Sequence, residues 1–248
     1  MELKALVDYT RQLLQVERYT DYCPNGLQLE GKTSVNKIVS GVTASMALLE
    51  AAKEAGADAV LVHHGYFWKN EDATIVGLKR NRIKFLLEND ISLLAYHLPL
   101  DAHPELGNNA QLAKRLGIQI QAWVGNQGLL GMGTLPQTLT LKDFSAQIQS
   151  QLQRAPLAMG DENKKVRRVA WCTGGAQSYF QEAIDLDVDV FISGEVSEQT
   201  YHLAHESGVA YIAAGHHATE RYGVQALGTH LAAQFGIAHE YVEIDNPV

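Results

Sequence analysis

Cysteine is nearly absent from this sequence. Cys23 and Cys172 stand alone, too few for a disulfide framework and without a CxxC partner, so each is expected to be a buried or half-buried thiol. Long apolar runs are missing as well: none approaches the roughly 20 residues of a membrane span. The opening stretch, "MELKALVDYTRQLLQ", carries acids from the start and lacks the basic-then-apolar plan of a secretory signal. It reads as an amphipathic first helix, and the expected compartment is the cytoplasm. Basic clusters are scarce. With a net charge of −8 and nothing longer than "KKVRR" (164–168), broad phosphate-backbone binding is disfavoured, and direct nucleic-acid binding with it. That cluster reads as a solvated loop before a strand. What is present is an ordinary globular composition, 46% hydrophobic over 248 residues, enough for one large or two smaller cores.

Strand patterns alternate with helix patterns, which favours α/β layers. "VNKIVSGVT" (35–43) is a strand and glycine turn, followed by a helix through "ASMALLEAAKEAG". "ADAVLVHHG" is the next strand, a helix covers about 78–89, "ISLLAYHLPLDAH" is a strand running into a loop, and "NNAQLAKRLGI" is a helix with a glycine stop. The same order returns in "VRRVAWCTGG" (166–175), "AQSYFQEAIDLD", "VDVFISGEVS" (188–197), "EQTYHLAHESG", "VAYIAAGHHATE" (209–220) and "QALGTHLAAQFGI". Asp58 and Asp189, 131 positions apart, both precede an apolar strand. His97, Asp101, Leu112, Gly117 and Ile118 correspond to His216, Glu220, Leu231, Gly236 and Ile237, all 119 apart, and the 12-residue difference is absorbed by "YFWKNEDATIVG" after the histidine pair. The reading is therefore two related α/β halves, 1–120 and 166–248, with 121–165 as the junction.

In open α/β sheets, ligands bind beyond the carboxyl ends of strands. Three strand ends carry metal-type side chains: His63–His64, His97 with Asp101, and His216 with Glu220. Each alone has a plain explanation as a hydrogen-bonded loop residue or a helix cap. Three together, at equivalent ends in two repeated halves, point to a metal site. Imidazole and carboxylate without thiolate suit Zn, Mn, Fe, Co or Ni and disfavour structural zinc. A helix beginning near Gly215 puts His216 and Glu220 on one face; His217 is the second choice, and the correspondence with His97 favours His216. Alternation along a strand sends His63 and His64 to opposite faces, so the pair serves two ions better than one. Two divalent ions against two carboxylates leave a positive pocket in a chain of net charge −8, fit for an anionic substrate.

Weaker candidates surround these. "TGG" (173–175) and "GVTAS" (41–45) are phosphate cradles or simple turns. His202 and His205 read as solvated helix residues, and His230 and His239 show no partner. Asn25 and Gln28, near the turn "CPNG", are candidates to line a pocket. Glu195 stands in the second half where the histidine pair stands in the first, as an outer group or general base.

Taken together, "PNGLQLEG", "GVTAS", "ADAVLVHHGYFW", "HLPLDAHPELGNNAQLA", "CTGG", "SGEVSEQ" and "AAGHHATER" resemble the GTP cyclohydrolase 1 type 2 homologue family, also called Nif-three-like dinuclear metal proteins. The resemblance runs from about residue 21 to the C-terminus, except 119–165. It implies a two-domain α/β fold of related halves, with a site for two divalent cations in the cleft between them, and a homohexamer. Matched residue by residue, the family's ligands fall on His63, His64, Asp101, His216 and Glu220, with Glu220 bridging and His97 beside the site. The expected activity is metal-dependent hydrolysis of a small molecule, a nucleotide ring or a cyclic amide, with His97 and Glu195 as the proton-transferring groups. The alternative expectation is a non-catalytic metal-binding scaffold or regulator.

Overall fold

The computed structural model describes residues 1–248. The expected first helix is Leu3–Leu13 (α1), and its buried Leu3, Leu6 and Thr10 recur at helical spacing. Gly26–Leu29 (β1), Lys37–Thr43 (β2), Met46–Glu54 (α2), Ala59–His64 (β3), Gly77–Glu88 (α3), Ser92–Ala95 (β4), Leu98–Ala102 (α4) and Asn108–Leu116 (α5) follow. Strands β2, β3 and β4 pair in parallel in that order, with β1 antiparallel on the β4 edge. These parallel strands are apolar on both faces because both faces are covered. In β3, Val60 and Val62 pack with Leu48 and Leu86, whereas Ala59 and Leu61 pack with Leu6, Leu94 and Leu227.

The chain continues through Gln119–Val124 (β5), Leu130–Thr140 (β6), Leu141–Leu152 (α6), Leu157–Met159 (β7), Lys165–Trp171 (β8), Phe180–Asp185 (α7), Val190–Ser193 (β9), Glu198–Ser207 (α8), Ala210–Ala213 (β10), His216–Phe235 (α9) and Ala238–Tyr241 (β11). The second sheet has the order β5-β6-β8-β9-β10-β7, and its parallel run β8, β9, β10 repeats that of β2, β3, β4. "KKVRR" is not a loop: Lys165 to Arg168 form the start of β8, with Arg167 and Arg168 exposed.

Hydrogen bonds repeat along with the strand order. Asp58 Oδ2 accepts the backbone N–H groups of Asn36 and Lys37, and Asp189 Oδ2 accepts those of Arg167 and Arg168. The carbonyls of the same two aspartates take the N–H groups of Ser92 and Ala210, each at 3.0 Å. Helices α5 and the C-terminal part of α9 end alike, on Gly117 and Gly236 at φ +70° and +65°.

The compact units do not follow the expected contiguous boundaries. One is Met1–Gly107 with Gly223–Asp245; the other is Asn108–Tyr222 with Asn246–Val248. The last strand of each repeat pairs in the sheet of the other repeat, so that each unit draws on both: β5 pairs with β6, and β11 pairs with β2. Residues 121–165 are therefore sheet and core of the second unit, where Phe144, Ile148 and Leu152 pack with Val169, Trp171 and Ile192. No helix is long and apolar enough to cross a membrane.

Candidate functional site

In the first unit β3 ends on the histidine pair, and the rings do not diverge as strand alternation predicts. Their centroids lie 4.6 Å apart, too close for opposite faces of a strand. The expectation fails because the strand stops at His64. Gly65 follows, where any Cβ would overlap the Gln28 amide and the Ala95 side chain. Gln28 fills that space, accepting from Tyr66 N at 2.7 Å and donating to the Tyr66 carbonyl at 3.1 Å.

His63 is fully buried. Its Nδ1 donates to the Tyr96 carbonyl at 2.9 Å, and its Nε2 faces Asp101 Oδ1 at 3.5 Å. A carbonyl only accepts, so Nδ1 carries the proton and Nε2 presents a lone pair, the arrangement of a metal-ligating imidazole. His64 Nδ1 lies 3.3 Å from Thr43 Oγ1. The His97 ring stands 5.0 Å from that of His63 and 5.7 Å from that of His64. The three imidazoles form a group able to hold a metal ion.

His97 and Asp101, grouped at one strand end in the sequence, each have a different named partner. Asp101, buried on α4, turns to His63, while His97 Nδ1 bonds to Asp21 Oδ1 at 2.7 Å. Asp21 was not a candidate. The sequence signal for it is an Asx residue opening the turn "DYCPN", which carries no hint of a distant histidine. Burial drives the Asp21 carboxyl up, but hydrogen bonds from His97, Asn25 and the Tyr22 N–H outweigh it and hold it below the usual range. Asn25, foreseen as a pocket residue, donates to Asp21 and accepts the His97 N–H at 2.7 Å. Neighbouring Cys23 is pushed up to about 12 by burial and by the Asp21 charge, so its thiol stays protonated.

In the second unit, β10 runs through Gly215 into α9, which opens on His216 and carries Glu220 one turn on. His216 Nε2 lies 3.0 Å from Glu220 Oε2, and His216 Nδ1 lies 2.7 Å from Glu195 Oε1. Burial lowers the imidazole's proton affinity, but Glu220 first and then Glu195 reverse this and raise its pKa to about 9. The same His216 bond holds the Glu195 carboxyl below its usual range. Glu195 is thus an ionised acceptor rather than the raised-pKa acid the expected proton delivery would need. A divalent cation taken up at His216 Nε2 would compete with a proton, so such uptake would strengthen as pH rises. The second choice, His217, is buried.

The "TGG" turn makes room for this carboxylate. Gly174 has φ +68°, and a Cβ there would overlap Glu220 Oε1 and come within 3.2 Å of His216 Nε2. Asn109, also not foreseen, holds the turn: its Oδ1 accepts Thr173 N at 3.0 Å, and its Nδ2 reaches the Leu129 carbonyl at 3.1 Å. His202 and His205 are exposed on α8, as expected. His230 and His239 do have partners, Tyr9 OH at 2.7 Å and Ser40 Oγ at 2.8 Å.

Residues 1–247 match the family described as Duf34/NIF3 (NGG1p interacting factor 3). The chain belongs to the Duf34/NIF3 family. A Pseudomonas aeruginosa protein named GTP cyclohydrolase 1 type 2 homolog is 54% identical over 248 residues, covering 99% of this chain and 98% of its own. An Escherichia coli K12 protein of the same name is 51% identical over 247 residues, with 99% and 98% covered. Among solved structures, protein ybgI, of unknown function, superposes at TM-score 0.96 with 50% identity over 100% of both chains. The Thermus thermophilus protein TTHA1606 does so at 0.90 with 34% identity, again over 100% of both. The mixed α/β architecture with two sheets is therefore that of the NIF3 fold.

Proposed function

We propose that this Duf34/NIF3 member is a hydrolase that works with two divalent cations drawn from Zn, Mn, Fe, Co or Ni. His63, His64 and Asp101 of the first unit and His216 and Glu220 of the second would hold them, with Glu220 serving both ions. The observation that carries the reading is the first unit's imidazole set, where His63 commits Nδ1 to the Tyr96 carbonyl and turns Nε2 toward Asp101. One buried and two half-buried imidazoles grouped this way match the donor chemistry of borderline divalent ions. When bound, the cations supply Lewis-acid polarisation and acidify water.

The chain's own residues move the proton. Water's oxygen bonds to the electrophilic carbon and the carbon–nitrogen bond breaks. Water's proton travels through His97 Nε2 to the leaving nitrogen, a task suited to an imidazole. Glu195 holds His216 in orientation through the 2.7 Å bond to Nδ1 and is a positioning residue. The name GTP cyclohydrolase 1 type 2 homolog, borne by the relatives, makes a nucleotide ring the first substrate class, with a cyclic amide the second. Assembly as a homohexamer is part of the same proposal, checked by a sedimentation mass of six chains; a monomer mass at micromolar concentration removes it.

The test is a turnover screen of the metal-loaded protein against purine nucleotides and cyclic amides. The expected result is ring opening that needs metal and stops on chelation. Silence across the panel at saturating Mn, Fe and Zn overturns the hydrolase in favour of a metal-binding scaffold.

A further inference from the structure

We infer that Asp21 is a positioning residue that sets the tautomer of His97, keeping the proton on Nδ1 so that Nε2 presents its lone pair to the histidine cluster. The catalytic consequence rests on the hydrolase reading above; the tautomer does not.

The geometry around Asp21 makes the assignment. Both carboxylate oxygens are filled by donors. Oδ1 takes the Tyr22 N–H at 2.6 Å and His97 Nδ1 at 2.7 Å; Oδ2 takes Asn25 Nδ2 at 2.8 Å and the Leu98 N–H at 2.9 Å. Two of these partners are backbone N–H groups and can only donate. Asn25 is fixed with its amide NH2 toward Asp21, because its Oδ1 accepts the His97 N–H. His97 is the one partner able to switch between donor and acceptor. Beside a carboxylate it must donate, so Nδ1 holds the proton and Nε2 is the basic nitrogen. The clamp is built around the ring, since Asn25 holds the backbone of His97 while Asp21 holds its side chain and the next N–H. The Trp68 ring stands edge-on to the His97 imidazole at 5.0 Å, which further limits rotation. Asp21 would also stabilise the imidazolium formed while His97 carries a proton, as a buried aspartate does behind other catalytic histidines.

This arrangement makes Asp21→Asn informative. An amide NH2 on the Oδ2 side would meet two donors, Asn25 Nδ2 and the Leu98 N–H, whereas on the Oδ1 side it meets one, the Tyr22 N–H, beside a ring that can turn acceptor, so the His97 side is the better of the two. His97 must then accept at Nδ1 and move its proton to Nε2. The nitrogen facing the cluster changes from acceptor to donor without a change in side-chain size.

The experiment is 15N solid-state NMR of histidine-labelled, metal-depleted protein, with His97→Gln identifying the His97 signals by difference. In the wild type we expect a protonated Nδ1 and an unprotonated Nε2 on His97, and the reverse in Asp21→Asn. An unprotonated Nδ1 in the wild type overturns the inference whether or not the variant folds, as does an unchanged tautomer in a folded variant. On a substrate found in the screen, Asp21→Asn should lower kcat by about 10–100-fold at unchanged metal content. A reversed tautomer with full turnover would uphold the role of Asp21 and refute that of His97 in the hydrolase reading.

Discussion

His97 and His216, 119 positions apart in a chain that repeats its fold, each hold a carboxylate on Nδ1 at 2.7 Å: Asp21 for one, Glu195 for the other. The two carboxylates come from unrelated places. Glu195 lies two residues past β9, 131 positions after His64, the last residue of β3. Asp21 comes from the turn before β1. The same local solution, a carboxylate that fixes an imidazole, is thus reached from different parts of the chain.

His216 links this arrangement to pH. Its pKa is raised from 6.5 to about 9, so in metal-depleted protein it contributes stability that is fully present below the unfolded value near 6.5. That contribution is lost as pH rises through the folded value. The melting temperature of chelator-treated protein is expected to fall between these two pH values, and Glu195→Gln should flatten the fall. A melting temperature that rises over this range in the wild type would contradict the His216 assignment.

Gly174 offers a test of the second donor set. Alanine there takes on the cost of a left-handed φ of +68° and a Cβ overlapping Glu220 Oε1. The backbone part alone costs about 1–2 kcal/mol, which in a chain of this size lowers the melting temperature by roughly 2–8 °C. Metal content at limiting metal should drop as well, because Glu220 is displaced. A variant as stable and as metal-rich as the wild type would show that the close approach of Gly174 and Glu220 is immaterial.

The bridging role proposed for Glu220 separates it from His64. Glu220→Gln removes a charge shared by both ions and should weaken both. His64→Ala removes one neutral ligand and should weaken mainly one. Titration with a metal-sensitive dye, resolving two classes of site, reads the difference. Equal loss of one ion in both variants would count against the bridge.

Local patterns carried most of the fold. The β3 run "ADAVLVHH" and the glycine stops at Gly117 and Gly236 sit where apolar periodicity and helix-end chemistry put them. Asp58 and Asp189 make the same hydrogen bonds in both halves, as their matched positions suggested. Long-range pairing was not legible. Nothing local says that β11 leaves its own repeat to pair with β2, since a strand's apolar pattern is silent about its neighbour. That silence moved the unit boundaries away from 120 and 166. Site residues divided in the same way. His63, His64, His216 and Glu220 stood out by type and spacing. Asp21 and Asn109 did not, because each acts through a hydrogen bond to a partner more than sixty positions away. The strand rule misjudged the histidine pair because it describes the interior of a strand, and His64 is the last residue of one.

The most direct test of the central claim is metal stoichiometry. The full chain, stripped with chelator, saturated in turn with Mn, Fe or Zn and freed of excess ion, is measured by elemental analysis against protein concentration. Two equivalents per chain are expected with at least one of these metals, falling to about one in His64→Ala; no more than one equivalent in the wild type with every metal would contradict the dinuclear site.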